Sequence, residues 1–363
     1  MNIIIDARMV NEHLSGIGRY TFEIIKNIYS MDDVKIKLLV NDTILAKNIF
    51  GEFSNINFLK IKSKWLSISE QFELPLILNK YKKDHIFHSP SYVSSPFIKC
   101  KTIMTIHDLN HLEFPQFYTW FHKYYYKFIV KPSALKSKTI ITDSNFSKGE
   151  ILNWLKCKEN KIIVTYCGVD SNFKVIEDSD LLLYVKNKYK LPDEFILYIG
   201  NQKPHKNIKK LIEATSLLKS NVQLIINGKP NEVLTEQIEK SKVQNRVSFI
   251  GYVEDEDLPV LYNLAKVFVF PSLYEGFGLP PLEAMACGCP VVTSNTSSLP
   301  EVVSNIGDMV NPNNAFEIAK AIDENIKIDK ENYKKSAVEH ALKFKWSYTA
   351  EKTYKIYKYI DNI

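Results

Sequence analysis

Short apolar runs recur along this chain, and between them lie stretches with helical spacing. Residues 2–6, 35–40, 86–89, 102–107, 139–143 and 161–166 read as strands, with amphipathic segments such as 20–28 and 117–137 between them. A second series opens at 195–200 and continues through 222–227, 247–250, 267–270 and 290–293. Brief, nearly continuous apolar runs alternating with helical patterns are the mark of βαβ units, whose parallel strands are covered on both faces. The pattern predicts an α/β protein of two doubly wound, Rossmann-like domains, at 1–170 and 192–345. A linker is expected at 171–191, where acidic and polar residues thicken. The tail from 332 onward reads as helical. In open sheets of this kind ligands sit beyond the carboxyl ends of the strands, so two facing sheets would share one cleft.

Composition narrows the class. At 363 residues the chain exceeds a single ordinary core, and a 45% hydrophobic content fits a globular protein. The formal charge of +6 is compatible with an anionic substrate or membrane surface but lacks the density of a nucleic-acid binder. Cys100, Cys157, Cys167, Cys287 and Cys289 show neither a paired framework nor zinc spacing. No run long enough to span a membrane occurs, and the opening residues 1–8 read as a strand and not as a signal peptide. The expected location is the cytoplasm.

Candidate chemistry concentrates in Glu275-Gly-Phe-Gly-Leu-Pro-Pro-Leu-Glu283. The strand 267–270 precedes it. Gly276 and Gly278 let backbone approach a ligand, Pro280 and Pro281 suit a first helical turn, and Gly288 suits its end. A strand, a glycine loop and a helix N-terminus form a seat for phosphate. Glu275 and Glu283 flank that seat and are placed to grip hydroxyls, which together suggest a sugar nucleotide. The segment Asn201-Gln202-Lys203-Pro204-His205-Lys206-Asn207 follows the first strand of the second series, and puts a lysine within reach of a diphosphate.

The spacing of Glu275 and Glu283, inside Phe-Pro-Ser-Leu-Tyr-Glu-Gly-Phe-Gly-Leu-Pro-Pro-Leu-Glu-Ala-Met-Ala-Cys-Gly, resembles the E-x7-E signature of glycosyltransferase family 4, retaining enzymes of the GT-B fold. The resemblance covers nearly the whole chain. It implies two domains facing across a cleft, with a final helix at 346–363 crossing back to the first. It implies Lys206 and the amides of Gly276, Phe277, Gly278 and Leu279 on the diphosphate, Glu283 on the ribose and Glu275 on the donor sugar. Gly16 would approach the donor phosphate, His107 would orient a sugar hydroxyl, and Val253 would meet the base. Asn201 and His205 stand where the family commonly carries arginines, which leaves the second phosphate to Arg19, Lys203 or backbone amides. No metal and no cofactor are expected.

The stretches Ile5-Asp6-Ala7-Arg8-Met9 through Gly16-Ile17-Gly18-Arg19-Tyr20, and Gly200-Asn201 through Asn207, look most like the branch that transfers mannose in bacterial surface polysaccharide synthesis. The implied donor is GDP-mannose and the implied acceptor a lipid-linked oligosaccharide. UDP or dTDP sugars, an epimerase on the same fold and a two-lobed binding protein are the alternatives. Gly16 and Gly18 do not make a dinucleotide fingerprint, because the third glycine is missing. Asp255-Glu256-Asp257 has the spacing of a metal motif, yet acidic residues at a helix start need only the macrodipole as their reason. Trp120, Phe121, Tyr124, Tyr125, Tyr126 and Phe128 lie among lysines. That pattern fits a core helix with a solvated face, or a helix resting on the cytoplasmic face of the inner membrane.

Overall fold

The computed structural model describes every residue except 13, 15, 32, 118 and 119, and of residues 117 and 120–122 it describes only the backbone. Two compact units result. Unit 1 comprises Met1–Gly168 with Trp346–Ile363, and unit 2 comprises Val169–Lys345.

Unit 1 is built on β1 (Asn2–Asp6), β2 (Lys35–Val40), β3 (Asn57–Lys60), β4 (His85–Ser89), β5 (Lys101–Thr105), β6 (Thr139–Thr142) and β7 (Ile162–Val164). They form one sheet in the order β3-β2-β1-β4-β5-β6-β7, every pair parallel. Ile3 of β1 faces Ile36 on one side and Ile86 on the other. Ile3, Ile4 and Ile5 are fully buried, as central strands covered on both faces require.

Helix Ile17–Tyr29 lies against the sheet, and the last helix, Trp346–Asp361, packs on it. The Tyr20 and Trp346 rings meet edge-on with centroids 6.0 Å apart. Beneath them Nδ1 of His88 lies 2.5 Å from the Tyr357 hydroxyl, and its Nε2 lies 2.9 Å from Thr105 Oγ1. The Lys101 ammonium donates to the carbonyls of Ile360 (3.1 Å) and Asp361 (3.0 Å), a favourable cation at a helix C-terminus.

Residues 120–136 form helix Trp120–Tyr125, a π-helical turn Tyr126–Val130, and helix Lys131–Lys136. Pro132 has no N–H to return to the preceding turn, and the wider turn takes up the mismatch. Tyr125, Tyr126, Val130 and Ala134 enter the core, whereas Tyr124, Phe128 and Leu135 are exposed. The side chains of Trp120 and Phe121 lie outside the described residues.

Unit 2 holds β8 (Phe195–Tyr198), β9 (Gln223–Ile226), β10 (Val247–Phe249), β11 (Val267–Phe270), β12 (Val291–Ser294) and β13 (Asp308–Val310). Their order is β10-β9-β8-β11-β12-β13, again all parallel. Residues 171–191 lie within this unit, and Ser179–Lys188 among them is helical, capped by the Asp178 side chain. Among the described residues no helix is long and apolar enough to cross a membrane.

Burial holds His88 neutral, with its pKa pulled from the usual 6.5 down to about 3. Between those values the unfolded chain binds a proton that the native state refuses, so stability falls as the pH falls. The expected slope from this residue is about 1.4 kcal/mol per pH unit. Trp65, Trp120, Trp154 and Trp346 all belong to unit 1, so urea unfolding read by tryptophan fluorescence reports on it. His88→Asn should flatten the acid limb, and equal slopes in the two proteins would count against the assignment.

Candidate functional site

In unit 2 the chain starts at β8, builds outward to β10, then returns to β11 and builds the other way. The loops leaving β8 and β11 therefore diverge, and the gap at their carboxyl ends is where such sheets bind ligands. Both segments singled out from the sequence are these loops. Residues 199–207 follow β8, and 271–278 follow β11.

The two loops are joined. Lys206 Nζ lies 2.6 Å from Glu275 Oε1, with the side chains only 12% and 13% exposed. The same ammonium sits 5.2 Å from the Phe270 ring centroid. The Leu273 amide and the Ser272 hydroxyl both donate to the His205 carbonyl, at 2.8 and 3.1 Å. Asn207 adopts left-handed backbone and its amide group donates to the carbonyls of Pro271 (3.0 Å) and Pro312 (2.7 Å). The lysine is thus fixed from behind and in front.

A third loop, after β12, holds the glycine segment. Ser297 Oγ accepts from the Glu275 amide at 3.1 Å, and Ser298 Oγ lies within hydrogen-bond distance of the carbonyls of Glu275 (2.9 Å) and Phe277 (2.6 Å). Gly278 caps helix Leu279–Ala286 at φ 114°, a conformation that excludes ordinary side chains. Pro280 and Pro281 lack N–H groups, so Leu279 and Leu282 are the remaining amide donors of the first turn. Glu283, on this helix, is buried and accepts from the Tyr262 hydroxyl at 3.2 Å.

The other predicted residues fall around this centre. Asn201 makes a tight turn, its side chain accepting from the Lys203 amide at 3.1 Å and its carbonyl from the Tyr198 hydroxyl at 3.0 Å. Burial, and then the Lys206 charge, pull His205 down to about 4, so its imidazole is neutral near pH 7. Val253 is half-buried in the loop after β10, beyond the paired backbones of Gly228 and Gly251. In the acidic triplet, Asp257 precedes helix Leu258–Leu264, and its Oδ2 is occupied by Lys188 (2.7 Å) and Tyr189 (2.8 Å).

Gly16 and His107 belong to unit 1. Gly16 caps helix Ile17–Tyr29 at φ 50°, and a Cβ built on it meets nothing within 4 Å. His107 follows β5 and meets the Tyr20 ring edge-on at 4.8 Å. Its Nδ1 lies 2.5 Å from Asp143 Oδ2, and its Nε2 donates to the Pro90 carbonyl at 3.0 Å. Both nitrogens are therefore engaged by protein groups. Burial opposes charge on the ring, but the Asp143 carboxylate and the Pro90 carbonyl outweigh it and raise the pKa.

Sequence reasoning missed Asp143, Tyr262, Ser297 and Ser298. Asp143 ended a predicted strand, and a carboxylate closing an apolar run was the available signal. The serines gave none, since their partners are backbone groups of a loop distant in sequence.

Comparison with known proteins identifies the family and the fold. The family profile described as "Glycosyl transferases group 1" matches residues 184–343, and "Glycosyltransferase Family 4" matches residues 14–173. The chain is 30% identical to O-antigen chain mannosyltransferase B of Escherichia coli, over 99% of this chain and 100% of that protein. It is 31% identical to O-antigen chain mannosyltransferase RfbU of Salmonella typhimurium, over 60% of this chain and 58% of that one. Among solved structures, Anabaena HepE in complex with UDP and glucose superposes with a TM-score of 0.78 at 17% identity, covering 99% of each chain.

Two substitutions probe this geometry. Gly278→Ala would force a side chain into a strained backbone and 2.8 Å from Leu299 Cδ2, which is fully buried. Calorimetry should show a loss of about 1–3 kcal/mol, and an unchanged melting temperature would contradict the strain. Asp143→Asn removes the charge that sustains the His107 imidazolium. The His107 titration midpoint, followed by NMR of the ring, should move down, and a midpoint that stays put would rule out Asp143 as its cause.

Proposed function

This chain belongs to glycosyltransferase family 4, and we propose that it transfers mannose from GDP-mannose, with retention, to a lipid-linked oligosaccharide at the cytoplasmic face of the inner membrane. That it is a glycosyltransferase of two parallel-sheet α/β units follows from the family match and the fold. The donor, the acceptor and the stereochemistry are the proposal.

The observation that carries it is the contact between Lys206 and Glu275 at the divergence of β8 and β11. A cation and a carboxylate, both largely shielded from water, would suit a ligand that presents a diphosphate and a sugar together. In this reading Lys206 and the amides of the Gly276–Leu279 loop stabilise the charge that develops on the leaving diphosphate. Glu275 takes a hydroxyl of the sugar, and Glu283, steadied by Tyr262, takes the ribose. The bond from the anomeric carbon to the diphosphate oxygen breaks. The acceptor oxygen bonds that carbon on the same face, and its proton passes to a phosphate oxygen. The residues named need no metal for these roles. Mannose is favoured because O-antigen chain mannosyltransferase B, matched over 99% of this chain, is named for mannosyl transfer.

The test is a thermal-shift panel of nucleotide sugars with chelator present, on the wild type, Glu283→Ala and Lys206→Ala. A ligand at a hundred times its dissociation constant stabilises by about 2.7 kcal/mol. GDP-mannose should give that shift in the wild type and a smaller one in both variants. A shift with a UDP or dTDP sugar alone would overturn the donor, and no nucleotide-dependent shift in a folded protein would overturn the site.

A further inference from the structure

Tyr20 sits in the first turn of helix Ile17–Tyr29, where its amide donates to the Gly16 carbonyl at 3.0 Å. Its side chain is 2% exposed, and burial pushes the phenol far above its usual value, so it stays neutral. An apolar residue would fill the same space without a hydroxyl to satisfy. That hydroxyl lies 3.5 Å from Oγ1 of Thr105, the last residue of β5. His107 follows two residues later, and its ring meets the Tyr20 ring edge-on at 4.8 Å. Tyr20 therefore touches both the strand end that carries His107 and the imidazole itself.

The contact completes a set of three. Asp143 holds Nδ1 of His107 and the Pro90 carbonyl holds Nε2, which fixes two points on the ring. A plane needs a third, and the Tyr20 ring supplies it. Tyr20 is in turn held from two directions. Trp346 of the last helix, itself buried, packs against its ring at 6.0 Å. Thr105 Oγ1 is tied to Nε2 of His88, whose Nδ1 meets Tyr357 of the same helix. Neutral His88 offers one N–H and one lone pair, which suffices for a bond at each end. His88, Thr105 and Tyr357 are fully buried, and a linked polar chain in such surroundings makes the core rigid as well as filled.

We propose that Tyr20 is a positioning residue: its ring sets the orientation of the His107 imidazole, and the last helix holds that ring in place through Trp346. The inference rests on the reading in which His107 meets the transferred sugar, and it adds the group that aims His107. It also gives the last helix a part in the reaction beyond its packing. A role in packing alone predicts a loss that does not depend on His107.

GDP release from GDP-mannose, with water as the acceptor, is measured on the full chain. Tyr20→Leu should lower kcat about ten- to a hundredfold with KM little changed, the scale of a misplaced reacting group. Tyr20→Phe keeps the ring and should retain most of the rate. Trp346→Leu, a second variant one step removed, should act in the same direction and more weakly. In a His107→Ala background Tyr20→Leu should cost little more, because residues that act through one another are not additive. An equal loss in that background would overturn the positioning role. A readout without substrate is NMR of the His107 ring N–H protons below neutral pH, which the two hydrogen bonds shield from exchange. They should persist in Tyr20→Phe and broaden in Tyr20→Leu and Trp346→Leu, and unchanged signals in both leucine variants would overturn the proposal. A wild type that releases no GDP would count against the donor alone, and the ring signals would still decide the role of Tyr20.

Discussion

Within each sheet every strand runs parallel to its neighbours, and the rest of each unit depends on that constraint. Parallel strands place all their carboxyl ends on one edge, so residues far apart in sequence arrive together without any local signal that they will. Lys206 and Glu275 meet because β8 and β11 are neighbours, although the units between them in sequence lie elsewhere in the sheet. His107 and Asp143 meet for the same reason at the ends of β5 and β6. The sheets supply the geometry, and the loops supply the chemistry.

Central strands were legible because burial on both faces leaves little choice but Val, Ile, Leu and Phe. The strands that escaped notice, Asn57–Lys60 and Asp308–Val310, are both at sheet edges, where one neighbour is missing and much of the surface meets solvent. The stretch read as a linker was misleading for a related reason. Its helix, Ser179–Lys188, is polar enough to pass for a connector, yet Lys188 and Tyr189 are fastened to Asp257. Glutamates framed by glycines and prolines stood out as a candidate site because so little else demands that pattern. The groups that hold them, Tyr262, Ser297 and Ser298, were not, since a hydroxyl that supports a loop resembles any other hydroxyl. The resemblance to a known family named residues, and the structure showed what each one leans on.

The electrostatics are arranged in pairs. Lys206 is partnered by Glu275, His107 by Asp143, and Arg8 by Asp6 and Glu70. Glu70 is held so far from water that burial raises its pKa to about 7 despite the guanidinium beside it. Isolated charges in such surroundings would be costly, and partnering lets the fold keep them at strand ends. In the function proposed here, a diphosphate at Lys206 would meet a cation already oriented by a carboxylate, at little further cost in side-chain freedom.

Unit 1 is made of the first and the last residues of the chain, with unit 2 between them. Tyr357 and Trp346, which cover His88 and Tyr20, are synthesised after all of unit 2. On the ribosome the first sheet must wait through some two hundred residues, at about 5–20 residues per second, with the ground over His88 and Tyr20 still uncovered. Unit 2 is contiguous and meets no such delay. The half that begins first finishes last, and during that interval the chain is most in need of a chaperone.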